Sequence, residues 1–294
     1  MIFHRRYFLF LGLLLPGLFV PVAETQAQRR ITDRVDPIEE LDPERGAAFL
    51  REFRQLGMRA GYSFEFELRT MPFRGEERFF DGRMWGDRDA TGPVTLMEIR
   101  DRRDPDKHIR LLIHSGESAA VWKAEKNEAG TFEARRLEVE DWFVPILGTD
   151  YTPFDLQMPF VYWEAFDYEG IFRVRGRPCH IFAMTPPEDF QEQRPGLAAV
   201  RMYLDAEFQA LFRAESVGRD EEVKRVFSVI DFKKVQDEWI VKTIDLRDEA
   251  TRDKTRFRVN RAAMNATFPE DAFDPRNLGE APPELPRDRY TPVN

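Results

Sequence analysis

From Tyr62 the chain alternates apolar and polar residues with a period of two. Tyr62, Phe64, Phe66 and Leu68 fall on one side, and Ser63, Glu65, Glu67 and Arg69 on the other. Successive strand side chains point to opposite faces, so this pattern predicts a strand with one apolar and one wet face. Runs at 78–85, 94–100, 108–114, 119–124 and 131–139 predict five more strands in the first half. The breaks between them carry turn residues: Pro72 and Gly75, the stretch 86–92, Asp104-Pro105-Asp106, Gly116, and 127–130. Seven further strands are predicted at 171–175, 179–184, 200–205, 209–216, 223–232, 239–247 and 254–261. Gly176, Pro186-Pro187, Gly218 and Asp237 punctuate them. Connections this short join antiparallel neighbours, because a parallel crossover needs a dozen or more residues.

Two places break the strand rhythm. Asp42-Pro43-Glu44 predicts a helix start, with Asp as N-cap, Pro in the first position and Glu favoured by the helix dipole. Phe49, Leu50, Phe53 and Leu56 follow at helical spacing and Gly57 is the expected stop, which describes an amphipathic helix packed on a sheet. The second place is 148–157, GTDYTPFDLQ, followed by Met158-Pro159-Phe160-Val161-Tyr162-Trp163. Thr152 before Pro153 repeats the N-cap and proline start. Phe154, Leu156 and Phe160 then fall on or near the inner face of a short helix or turn. The segment is either a packing connector between two halves of one sheet or a lid over a cavity.

The N-terminus reads as a processing segment. His4-Arg5-Arg6 is basic, 7–22 is apolar but broken by Gly12, Pro16, Gly17 and Pro21, and Thr25-Gln26-Ala27 offers small residues for cleavage after Ala27. A stable span would want ~20 unbroken apolar residues. The expected organisation is a signal peptide at 1–27 and one domain at 28–294 with a Pro-rich tail from about 269, giving a periplasmic product. The formal charge is −9, which argues against non-specific nucleic-acid binding. The single cysteine, Cys179, cannot form an internal disulfide and reads as a small core residue, so stability rests on core burial.

Catalytic and metal-binding patterns are weak. His108 and His114 share a face of one strand but lie roughly 20 Å apart at about 3.3 Å per residue, too far to share a metal. His180 and Cys179 point to opposite faces, whereas zinc wants four converging ligands. Ser115-Gly116-Glu117-Ser118 is a turn without a nucleophile elbow. Asp101, Asp104, Asp106, Glu138, Glu140 and Asp141 alternate with arginines in loops and read as a solvated edge. With no phosphate loop or dinucleotide fingerprint, the expectation is no enzyme activity and no cofactor. The positive signal is aromatic: 26 Phe, 7 Tyr and 5 Trp, 13% of residues, most in or beside strands.

Several of these stretches resemble a known family. The Gly-Thr-Asp-Tyr step and Asp155-Leu156 of the mid-chain segment are similar to a signature of the outer membrane lipoprotein-sorting proteins, relatives of the periplasmic carrier LolA. Tyr168-Glu169-Gly170, then Gly176-Arg177-Pro178-Cys179-His180-Ile181-Phe182, then AVRMYLD at 199–205 and the segment 226–239 continue the resemblance, which covers roughly 45–274. It implies a mainly β, α+β fold: a curved antiparallel sheet forming an open half-barrel with an N-terminal helix and a short connector helix or lid. It also implies a carrier that takes acyl chains of lipoproteins or lipids into an apolar concavity, receiving them from an inner-membrane export complex and passing them to an outer-membrane acceptor. The alternative is a periplasmic lipid-sensing or partner-binding regulator. Candidate lining residues are Phe64, Phe66, Leu68 and Trp85 from the first half, with Leu156, Phe160 and Trp163 from the mid-chain segment. A one-residue shift of strand register would invert every inward assignment.

Overall fold

The computed structural model describes residues 37–56, 60–89, 92–116 and 119–294, all within one compact unit. The expected signal peptide and the Gly57 helix stop lie outside the described residues. The strands are β1 (Gly61–Met71), β2 (Arg78–Asp89), β3 (Gly92–Asp101), β4 (His108–His114), β5 (Ala120–Lys126) and β6 (Phe132–Arg136). After a connector come β7 (Phe166–Val174), β8 (Arg177–Met184), β9 (Leu197–Asp205), β10 (Ala210–Gly218), β11 (Val223–Val235), β12 (Glu238–Asp248) and β13 (Lys254–Ala266), then the short β14 (Thr291–Pro292). They form one open antiparallel sheet in the order β6-β5-β4-β3-β2-β1-β13-β12-β11-β10-β9-β8-β7, with β14 added to β13. Short turns thus make two meanders, as the spacing predicts, and β1 pairing with β13 fuses them.

This topology places the connector. The outer edges of the sheet, β6 and β7, are consecutive in sequence. Residues 137–165 must therefore travel from one edge to the other, and they do so against one face, called here the inner face. On β1 that face carries Phe64, Phe66 and Leu68, opposite Met84, Gly82 and Phe80 of β2 and Ala262, Val259 and Phe257 of β13. Gly82 is required there: a Cβ would lie 2.1 Å from the Phe66 ring. The helix α1 (Pro43–Gln55) starts as predicted, with the Asp42 carboxylate accepting from Arg45 N. It buries Gly46 and Leu50, and Phe49 stacks on His180 at 3.9 Å. Leu56 departs from the expected apolar side: it is the C-cap and is exposed.

The outer face of β2–β5 holds a second apolar cluster, Trp85, Leu96, Leu112 and Ala124, covered by Leu278 of the tail. The tail was expected to run over the surface; instead Leu278 and Val293 are buried and three tail carbonyls are bound. Arg110 Nη1 donates to the carbonyls of Leu278 (3.3 Å), Gly279 (2.9 Å) and Glu280. Arg110 is oriented by Glu98, which also meets His108 at 2.9 Å and Arg100 at 3.2 Å. Asp101 also differs from expectation: it is buried and accepts from Arg78, because β3 extends to include it.

Burial alone would raise the Glu98 carboxyl, but the hydrogen bond from His108 and the charges of Arg100 and His108 outweigh it and lower it to about 2. A depressed carboxyl gives stability that is present above its unfolded value and lost as pH falls through the folded value, on the order of 3 kcal/mol here. Urea midpoints for the native protein should therefore fall between about pH 4.3 and pH 2. In Glu98→Gln that part of the acid slope should be missing; parallel slopes for the two proteins would contradict the assignment.

Candidate functional site: the inner face and its connector

The connector enters as a turn at Val139–Phe143, runs through α2 (Pro153–Gln157) and leaves through a second turn at Pro159–Tyr162. Local sequence dictates α2. Thr152 and Asp155 form a capping box, Pro153 occupies the first turn, and the Asp155 carboxylate accepts from Thr152 N at 2.8 Å and Thr152 Oγ1 at 2.6 Å. Met158 then adopts a left-handed conformation (φ 52°), which ends α2 and turns the chain into Pro159. The result places apolar rings against the sheet. Phe154 lies 5.7 Å from Phe160 and 6.4 Å from Trp163, with Phe143 at 4.8 Å. A short helix absent from the sequence expectations, α3 (Glu188–Gln193), adds Phe190 at 5.3 Å from Trp163. Its six residues offer one buried ring and no apolar period to detect.

Polar contacts fasten this aromatic plug. Arg225 Nη2 on β11 donates to Asp155 Oδ2 at 2.8 Å and to the carbonyl of Asp150. Thr255 of β13 donates to Asp150 Oδ2 at 2.6 Å and accepts from Asp150 N at 2.9 Å. From α1, Arg54 donates to the carbonyls of Val161 (2.7 Å) and Trp163 (2.6 Å). Burial pushes the Asp155 carboxyl upward, opposed by the Arg225 charge and the Thr152 hydrogen bonds; Asp150 is also raised by burial. Three buried polar groups in the connector lack partners: the Trp142 indole nitrogen, the Tyr151 hydroxyl and both amide atoms of Gln157.

Space remains where plug and sheet part. A narrow cleft of about 10 Å³, room for roughly one water, lies between Phe154, Asp155, Met158 and Phe160 on one side and Val200, Ala214, Ser216, Arg225, Phe227 and Leu246 on the other. It is far below the usual range of ligand pockets, about 300–1,000 Å³, because the plug fills the concavity.

The structure brings six of the seven candidate lining residues together. Phe64, Phe66, Leu68, Phe160 and Trp163 are buried in one apolar cluster, and Leu156 packs against it half-buried. Trp85 is not among them. It pairs with Ser63, one residue out of step with Phe64, and therefore belongs to the outer cluster beneath the tail. The mid-chain segment was open between connector and lid; it joins the two meanders in sequence and covers the inner face in space. Sequence reasoning missed Arg225, whose partner Asp155 lies seventy positions away, so no local pattern could expose it. Among the described residues no group of His, Cys, Asp or Glu is arranged to hold a metal ion.

A family model described as "Uncharacterized protein" matches residues 133–280, from β6 through the connector and the second meander into the tail. No curated protein matches the chain. Among solved structures, the chain is similar to a domain designated outer membrane lipoprotein-sorting protein from Vibrio parahaemolyticus, at 15% identity and TM-score 0.69, over 81% of this chain and 100% of the other. It is similar to a DUF1329 family protein from Desulfovibrio piger, at 15% identity and TM-score 0.66, over 83% and 100%. A LolA superfamily protein from Nitrosomonas europaea aligns at 10% identity and TM-score 0.56, over 78% and 96%. At such identities the likeness is one of fold: an open, curved antiparallel sheet with few helices.

Proposed function

The chain belongs to this family of uncharacterized proteins and has a LolA-like fold, and on that premise we propose that it is an exported, non-enzymatic carrier of acyl chains. The observation that carries the reading is the pairing of a continuous apolar inner face with a separate aromatic plug held by a few polar contacts. Phe154, Phe160 and Trp163 stand where ligand chains would lie. Each methylene moved from water to such a face contributes about 0.8 kcal/mol, so a chain of ~14 carbons can replace the contacts the plug gives up. Loading is then an exchange of one apolar occupant for another, and its free energy stays small enough for release to a membrane acceptor. The cargo is the acyl portion of a lipoprotein or lipid. The working compartment is the periplasm, after removal of residues 1–27, between an inner-membrane donor complex and an outer-membrane acceptor. Among the described residues no helix is long and apolar enough to cross a membrane.

Native mass spectrometry of protein recovered from the periplasm should show an acylated ligand near one per chain. The extracted ligand should displace a fluorescent fatty-acyl probe. Empty protein that also refuses the probe, in both the native chain and a variant with the Arg225 contact removed, would overturn the carrier reading.

A further inference from the structure

The turns of β7–β8, β9–β10 and β11–β12 emerge at the same end of the sheet on adjoining hairpins. They carry an aromatic patch remote in sequence from the connector. Phe208 lies 6.2 Å from Phe232 and 5.9 Å from Trp239. Arg177 sits over Phe208 and Phe232, at 5.1 and 5.9 Å from their centroids, and its Nη1 is held by the buried Asp205 at 2.7 Å. Neither Phe208 nor Trp239 serves the core: they are 43% and 57% exposed. The charge around them departs from that of the chain. Residues 173–177, 205–209 and 233–239 hold five basic side chains (Arg173, Arg175, Arg177, Lys233, Lys234) against four acidic ones (Asp205, Glu207, Asp237, Glu238), with Arg177 paired to Asp205 and Lys234 to Asp237, a slight positive excess in a protein of formal charge −9.

We infer that these three hairpin tips dock the protein onto an anionic lipid bilayer. Exposed Trp and Phe rings partition to headgroup depth, where an apolar ring body and a polar edge are both satisfied. Arginine and lysine beside them keep their charge at the phosphate level while their stems cover the rings. The local positive excess favours an anionic surface over a neutral one, against the repulsion of the acidic remainder. Three small projecting tips suit insertion into a headgroup layer better than a flat contact of about 800 Å² per partner. The inference stands on the exposed rings and does not depend on what occupies the inner face.

Trp239 supplies the test, because the other tryptophans are sheltered: Trp85, Trp142 and Trp163 are buried and Trp122 is half-buried. The full chain would be mixed with vesicles of phosphatidylglycerol and phosphatidylethanolamine brominated in their acyl chains, or with brominated phosphatidylcholine. Anionic vesicles should quench emission in the native protein, and that increment should vanish in Trp239→Phe, which still cosediments. Phe208→Ser with Trp239→Ser should lower partitioning by roughly tenfold, with its thermal midpoint unchanged. Equal quenching in the native protein and Trp239→Phe, or native-like cosedimentation of the double variant, would overturn the proposal. Quenching that survives in Trp239→Phe comes from the remaining tryptophans, Trp85, Trp122, Trp142 and Trp163, and not from the hairpin tips, so the two readings fail separately.

Discussion

Arg225→Met should destabilise the folded protein by about 3–5 kcal/mol, the cost of leaving a buried carboxylate without its partner. For a domain of this size that is a fall of roughly 10 °C in thermal midpoint. Asp155 is buried and keeps its Thr152 hydrogen bonds in the variant, but those donors carry no charge. Asp155→Leu combined with Arg225→Met should recover much of the loss, since an apolar pair of similar volume replaces a buried ion pair at little cost. The two changes must then couple by well over 1 kcal/mol in a double-mutant cycle. A pH series separates this account from simple loss of packing. With Arg225 gone, nothing of opposite charge offsets the burial that raises the Asp155 carboxyl. A folded-state value above the unfolded one means the folded state binds more protons in that window, so stability increases as pH falls through it. The deficit of Arg225→Met should therefore shrink from pH 7 to pH 5. A deficit that is constant with pH, or additive single effects, would mean the contact does not hold the plug.

The elements legible in sequence were those fixed by local chemistry. The alternation at Tyr62–Leu68, the proline starts after Asp42 and Thr152, and β4 to the residue follow from side-chain period and capping alone. The antiparallel order follows from short turns. What stayed hidden was set by contacts between distant residues. Trp85 looked like a lining residue because it is large, apolar and in a strand; only its pairing with Ser63 assigns it to the outer face. Asp101 looked solvated among loop carboxylates; Arg78, on the neighbouring strand, makes its burial tolerable. The tail looked like a surface run because prolines and charges dominate it, yet Arg110 needs its carbonyls as partners. In each case the sequence states a residue's character and the sheet decides which neighbour it meets.

Phe160→Ala separates a lid from an ordinary core. Phe160 is buried between Phe154 and Trp163 and borders the narrow cleft between plug and sheet. Truncating a buried Phe costs about 3–5 kcal/mol, partly through the cavity left behind. In a core with no other occupant that loss is final. If the plug stands in for acyl chains, the enlarged cleft is a better site than the native one, and a ligand that binds the folded state restores stability by mass action. At a free ligand concentration 100 times its Kd the return is ~2.7 kcal/mol. The expected result is a lower thermal midpoint without ligand and a larger ligand-induced rise than in the native protein. Leu112→Ala supplies the comparison. Leu112 is as deeply buried, but in the outer cluster under the tail, so its variant should lose a similar 2–5 kcal/mol and gain no more from ligand than the native chain does. Equal ligand responses in Phe160→Ala and Leu112→Ala would place the aromatic plug among permanent core residues and remove the exchange on which loading depends.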